Sequence, residues 1–99
     1  MKLYFDTANS QKTIVGLDNQ RWQFETKEFK SQKLLVLIDQ ILKKNKKSLK
    51  DLTEIKVNLG PGSFTGLRVG VAVANTLSWA LKIPLNDNQK GELVEPQYD

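Results

Sequence analysis

The 99-residue chain has neither cysteine nor histidine. Without cysteine there is no disulfide framework and no thiolate zinc site, and a reducing compartment fits. Without histidine, an imidazole-ligated metal and a nucleophile activated by a histidine base are excluded. Paired carboxylates are missing as well. Asp51 and Glu54 precede a strand rather than sit at its carboxyl end, and Asp6 has no second acid, so metal-assisted or acid–base hydrolysis lacks its residues. Long hydrophobic runs are absent: the apolar stretches are broken by Gly, Asn or Arg well short of a membrane span. The start, Met1–Asp6, has no apolar stretch of the secretory kind. These absences lead us to expect a soluble, cytoplasmic chain without membrane contact and without the residues for those chemistries.

What is present is ordinary in composition and uneven in charge. Hydrophobic residues make up 39% and charged residues 26%, a globular mixture. A chain this short can bury about two-thirds of its unfolded surface, enough for one small core. The net charge is +4. Residues 86–99 carry Asp87, Glu92, Glu95 and Asp99 against Lys90, so the charge resides in the body. A basic body suits nucleic acid or an acidic partner.

Hydrophobic periodicity sets the elements. Leu3-Tyr4-Phe5 reads as a buried strand ending at Asp6-Thr7. Lys12–Leu17 reads as a second strand and Asp18-Asn19 as a hairpin turn. Arg21–Thr26 alternates, with Trp22, Phe24 and Thr26 on one face. Ser31 suits an N-cap, and Leu34, Leu35, Leu37, Ile38, Ile41 and Leu42 then form a wide apolar helical face that leaves out Val36. Ser48-Leu49-Lys50-Asp51 matches a capping box. Ile55, Val57 and Leu59 alternate in a strand made parallel by the right-handed crossover rule. A helix follows from about Thr65 to Leu81, and Pro84 closes the folded part. The expectation is an α/β fold of order β-β-β-α-β-α, a mixed sheet with helices packed on it, as at the start of a ribonuclease-H-like lobe. Residues 1–85 would form that lobe and 86–99 a flexible acidic tail without a core role, though Leu93-Val94 could pair with an edge.

Three segments could carry chemistry. The first is Gly60-Pro61-Gly62-Ser63-Phe64-Thr65-Gly66, a glycine turn entering a helix. Such a turn can cradle an anion, because backbone N–H groups and the helix dipole point the same way. Yet Gly66 is followed by Leu67 rather than Lys, the dinucleotide spacing fails at Thr65, and Pro61 removes a donor. A tight turn capped by Ser63 or Thr65 is the simpler reading. Asp6 and Thr7 could join Gly60, Gly62, Ser63 and Thr65 in a nucleotide site, whereas Asp6 alone would cap its turn.

The second is the helix itself. Gly66, Gly70, Ala74 and Ser78 recur every fourth residue, a ridge that lets another backbone approach closely. Val69, Val73, Leu77 and Leu81 flank it, with a thin polar strip at Arg68 and Asn75. Burial of this ridge by a second protein is the favoured reading over burial by the first helix alone. The third is Lys43, Lys44, Lys46 and Lys47. They could contact RNA phosphate, but a solvated helix end is the plainer account, since no aromatic or Arg is interleaved.

The glycine motif and its helix resemble the TsaB (YeaZ) family of the tRNA threonylcarbamoyladenosine pathway. "LYFDT", "LLVLIDQIL", "SLKDLTEIKVNLGPGSFTGLR" and "LKIPL" agree with it over about residues 1–85. The resemblance implies an actin/Hsp70/sugar-kinase-type lobe without catalytic chemistry of its own. It implies docking to a catalytic TsaD-type subunit, with a TsaE-type ATPase joining, homodimers by the same surface, and indirect contact with tRNA. The implied interface is Leu34, Leu35, Ile38, Leu42, Gly66, Gly70, Val73, Ala74 and Leu77. No cofactor is implied, with ATP or ADP bound only at a partner interface. The chain departs from the family in three ways. It resembles the N-terminal lobe alone, as a shortened form; Lys30-Ser31 stands at the first-helix entry where His-Ser is usual; and Ala8 stands at the phosphate-loop glycine of related kinases.

Overall fold

A computed structural model of the chain describes residues 1–25, 31–88 and 91–97. The elements run β1 (Lys2–Asp6), β2 (Lys12–Leu17), β3 (Gln20–Glu25), α1 (Ser31–Lys44), a 3-10 turn (Leu49–Asp51), β4 (Glu54–Val57) and α2 (Phe64–Leu81). This is the expected order. Thr26 and the side chain of Ser31 lie outside the described residues, and with them the end of the third alternation and the expected cap.

The sheet order is β3-β2-β1-β4. β1 pairs antiparallel with β2, and β2 with β3, while β4 pairs parallel with β1. β1, β3 and β4 therefore point one way. α1 joins β3 to β4, and α2 follows β4 and leads to Leu85, which bridges parallel to Ile55. Both helices thus run opposite to those strands, and both end beside the amino ends of β1 and β4.

Period-2 alternation fixes which face is buried. Leu3, Phe5, Thr7, Val15, Leu17, Ile55 and Val57 are buried, and the hydrophobic ones among them join the core with Leu34, Ile38, Ile41, Leu42, Val71, Val73, Ala74 and Leu77 of the helices. Trp22 and Phe24 pack half-buried at its margin. Burying one such aromatic or aliphatic side chain contributes about 1.5–3 kcal/mol. The alternate residues Lys2, Tyr4 and Asp6 are only half-buried. On their side of the sheet Lys2 faces Glu54 at 3.8 Å, and the Arg21 guanidinium lies 4.1 Å from the Tyr4 ring centre. The Tyr4 hydroxyl donates to Asp6 Oδ2 at 3.3 Å. Burial, and then the Asp6 carboxylate, push the Tyr4 phenol above its usual range.

On the side of β4 away from β1, a single bridge forms among the described residues, from Leu85 to Ile55. After the Leu85 bridge, Asn86 pairs with β4 through its side chain. Its Oδ1 accepts from Val57 N–H at 2.8 Å and its Nδ2 donates to Val57 O at 3.0 Å. A side-chain amide thereby satisfies the edge of β4 at Val57 in place of a backbone.

The tail contributes more than the sequence suggested. Val94 is buried and belongs to the core cluster. Asn75 holds it by two reciprocal bonds of 2.9 Å, Nδ2 to Val94 O and Val94 N–H to Oδ1. Val94 is tied here to a helix side chain rather than to a sheet edge. The reason is that Asn75, read as part of a solvent strip, presents both a donor and an acceptor and so mimics a strand.

Candidate functional site

The carboxyl ends of β1 and β4 meet the start of α2. Ser63 caps the helix, its Oγ accepting from Gly66 N–H at 3.4 Å. Its backbone N–H donates to Ala8 O at 2.7 Å. Gly62 makes that approach possible, since a Cβ there would lie 2.6 Å from both the Ala8 carbonyl oxygen and the Ala8 methyl. Gly60 holds φ of 115°, a conformation open to glycine, and the Gly60-Pro61 bond is cis. A Cβ on Gly60 would collide with the Gln97 carbonyl, and Gln97 N–H donates to Leu59 O at 2.6 Å.

Of the residues proposed for an anion or nucleotide, Asp6, Thr7, Gly62 and Ser63 do come together here, and Gly60 stands close by. Their polar groups are committed to the fold. Asp6 Oδ1 accepts from Ala8 N–H at 2.9 Å. Thr7 is buried and its hydroxyl donates to Gly66 O at 2.6 Å. Gly60 N–H donates to Asn58 Oδ1 at 3.0 Å. Thr65 parts from the group: it is exposed and lines a groove on the far side of α2 with Phe64, Arg68 and Ala72. No cluster of three acidic residues able to hold a metal occurs among the described residues.

The small-residue ridge requires a correction. Gly66, Gly70, Ala74 and Ser78 face into the molecule and all four are buried. A Cβ on Gly70 would overlap the Thr7 hydroxyl. Ser78 donates from its Oγ to Ile83 O at 2.7 Å, inside the turn that ends the helix. The close approach that the spacing foretold is therefore made by the chain's own first strand end. For the same reason, Leu34, Ile38, Leu42, Val73 and Leu77 are buried as core between α1, α2 and the sheet. Of the nine residues expected at an interface, only Leu35 is exposed, at 43%.

The uncovered apolar side chains of the two helices are Leu35, Val36, Phe64 and Trp79, with exposures of 43, 53, 56 and 72%. Leu35 lines a cleft of about 120 Å³ with Ala72, Val73 and Thr76, where α1 meets α2. Arg68, Ala72 and Thr76, at four-residue spacing, run along the outside of α2 between Phe64 and Trp79. Arg68 sits with its guanidinium 5.4 Å from the Phe64 ring centre. The sequence reading missed this strip because it followed the ridge and its flanks. On a helical wheel Trp79 falls about 180° and Phe64 about 120° from Gly70, which would have placed both off the ridge.

The lysine group stays on the surface, with Lys43, Lys44, Lys46 and Lys47 all exposed. Lys43 pairs with Asp39 at 3.0 Å, one helical turn away.

The architecture is a ribonuclease-H-like α/β lobe with its glycine turn at the carboxyl edge of the sheet. Comparison with known proteins places it more closely. The family model described as "TsaD: tRNA N6-adenosine threonylcarbamoyltransferase" matches residues 25–87. The chain is 40% identical over 85 residues to a tRNA threonylcarbamoyladenosine biosynthesis protein TsaB of Buchnera aphidicola subsp. Baizongia pistaciae, covering 83% of this chain and 38% of that protein. It is 30% identical over 87 residues to the protein of that name from Escherichia coli, covering 84% and 37%. YeaZ from Pseudomonas aeruginosa superposes with a TM-score of 0.73 at 23% identity, over 89% of this chain and 43% of that one. The chain belongs to this family and, within it, to the TsaB (YeaZ) group. It spans about two-fifths of the length of the relatives it matches.

Proposed function

We propose that the protein is a noncatalytic partner subunit in tRNA threonylcarbamoyladenosine modification, docking a catalytic TsaD-type subunit through the outer faces of α1 and α2. Relatives named for that pathway and a family model described as the transferase support the pathway. One observation carries the docking surface: the apolar strip of Leu35, Val36, Phe64 and Trp79, uncovered on the two helices while their other faces are filled. An isolated Leu or Phe on a surface is unremarkable, but a Trp at 72% exposure beside a cleft has the makings of an interface anchor. Small Ala72 and Thr76 between the large side chains leave room for a helix of the partner to lie along the cleft.

In this reading, covering the strip holds the catalytic subunit in its competent form. A TsaE-type ATPase joins the same assembly, a second copy of the chain competes for the same strip, and ATP or ADP binds only where a partner completes the site. The assembly works in the cytoplasm. The test is the affinity for the TsaD-type subunit by calorimetry. Ala72→Arg places a charged side chain in the cleft without touching the core. It should weaken binding roughly tenfold or more, about 1.4 kcal/mol, with the melting temperature unchanged. Equal affinity of the variant and the parent would sink the assignment.

A further inference from the structure

We infer that the end of the molecule where both helices finish binds single-stranded RNA, with lysines of α1, the 3-10 turn and α2 on the phosphates and the groove beside the β2–β3 turn receiving a base. The choice of RNA over other polyanions rests on the tRNA-modification reading above.

The topology assembles the site. Both helices run opposite to β1 and β4, so Lys82 at the end of α2 joins the lysines that follow α1, far away in sequence. Lys44, Lys46, Lys47, Lys50 and Lys82 are exposed, and none of them is in an ion pair among the described residues. The acids at this end are already engaged. Asp18 Oδ1 accepts from Lys2 N–H at 2.9 Å, Asp51 Oδ2 from Ser48 N–H at 2.8 Å, and Glu54 faces the Lys2 ammonium. The acids keep their charge, but Lys2 and the five lysines outnumber them, so this end carries a net positive field that reaches solvent.

Two of these lysines occupy unusual backbone. Lys46 and Lys82 hold φ of 57° and 58°, at the left-handed position just past each helix. Lys47 N–H donates to Leu42 O at 2.8 Å and Ile83 N–H to Ser78 O at 3.1 Å, the bonds of a helix-ending motif whose left-handed residue is most often glycine. A lysine at both positions gives up backbone ease and places a charge at the tip of each helix.

The groove supplies what a bare cation patch lacks. About 300 Å³ in volume, it is lined by Met1 and Leu17, by the Asp18 carboxylate, by the amides of Asn19, Gln20 and Asn45, and by Lys47. The amides of Asn19 and Gln20 carry both a donor and an acceptor for a base edge, Asn45 Nδ2 already donating to Ile41 O at 2.7 Å, and the apolar pair offers a surface for a base face. An unstacked base with its phosphates on the adjoining lysines fits this chemistry. A lipid surface would have no use for an amide-lined groove.

The experiment measures anisotropy of a labelled, unstructured single-stranded RNA of mixed sequence against the full chain across a salt series, with no partner present. Loss of partner docking therefore leaves the readout unaffected, and loss of RNA binding leaves the calorimetric test above unaffected. The variant Lys44→Gln/Lys46→Gln/Lys47→Gln/Lys82→Gln should bind roughly tenfold more weakly at low salt, with a salt slope smaller by about 0.7 for each contact removed. The matching four-Arg variant should keep parental binding, which separates lost charge from lost folding. Lys12→Gln/Lys56→Gln, on other parts of the sheet, should leave the slope as it was. Asn19→Ala/Gln20→Ala should reduce the preference for single-stranded over duplex RNA. An unaltered slope in the four-Gln variant overturns the inference, as does an equal fall in the sheet variant. Loss of binding to phosphatidylserine vesicles with RNA binding intact overturns it too.

Discussion

The two sides of α2 are made differently. Its inner side is Gly66, Gly70, Ala74 and Ser78, pressed onto the end of β1, with Thr7 donating to Gly66 O and leaving no room for a Cβ on Gly70. Its outer side sets two small residues between large ones: Phe64, Arg68, Ala72, Thr76 and Trp79. Close packing needs small residues on the inner side, because helix and strand backbones approach there. An interface needs large apolar side chains with gaps between them, and that is the outer side. A four-residue spacing of small side chains marks a close approach. It does not say whether the approaching group belongs to another protein or to the same chain.

The comparison breaks most visibly at Gly70. Gly70→Leu should destabilise the fold by about 3 kcal/mol or more, since the side chain must displace the buried Thr7. Denaturant unfolding would read that loss, and a near-parental midpoint would mean the ridge is not packed against β1. Ala72→Arg, on the same helix, should by contrast stay within about 0.5 kcal/mol of the parent. The pair of variants therefore separates folding from docking along one helix.

Next in size is the clamp between α2 and the tail. Asn75→Leu keeps the volume but leaves Val94 N–H and C=O without their partner. A cost of about 1–2 kcal/mol is expected, with faster hydrogen exchange at Val94; unchanged exchange there would show that the tail is held by other contacts. Smaller again is Lys46→Gly, which relieves a left-handed lysine. It should stabilise the chain by about 0.5–1 kcal/mol, although glycine's freer unfolded state offsets part of the gain. A fall in the melting temperature would count against the left-handed conformation.

The smallest effect is a titration. The Tyr4 phenol is raised by burial and by Asp6, so its neutral form is favoured in the folded state. The sign follows: this contribution is complete below the ordinary tyrosine pKa of about 10 and is lost as pH climbs through the higher folded value. Ultraviolet titration should show one tyrosine ionising late, and Tyr4→Phe should remove that step. A step that persists in Tyr4→Phe would assign it to another residue.

Strands, helices and turns were legible in the residues. Alternation in Leu3-Tyr4-Phe5, Trp22-Gln23-Phe24 and Ile55-Lys56-Val57 fixed which side chains share a face, and Ser48 with Asp51 marked the 3-10 turn. The glycine turn was also legible as a turn, with Ser63 as the cap of the helix it enters. Less legible were the two asparagines. Asn75 and Asn86 look like solvent residues, yet each replaces a length of strand by pairing with one backbone residue through a single amide. Nothing local distinguishes such an amide from an exposed one, since its partners lie 19 and 29 residues away.

The sequence by itself determined the periods, the caps, the chain order and the family, all of which depend on neighbours within a turn or on recurring motifs. The tertiary structure alone decided which way α2 faces. That choice is made by Thr7, 59 residues from Gly66, whose hydroxyl needs a carbonyl once it is buried and finds one only where the helix lacks side chains.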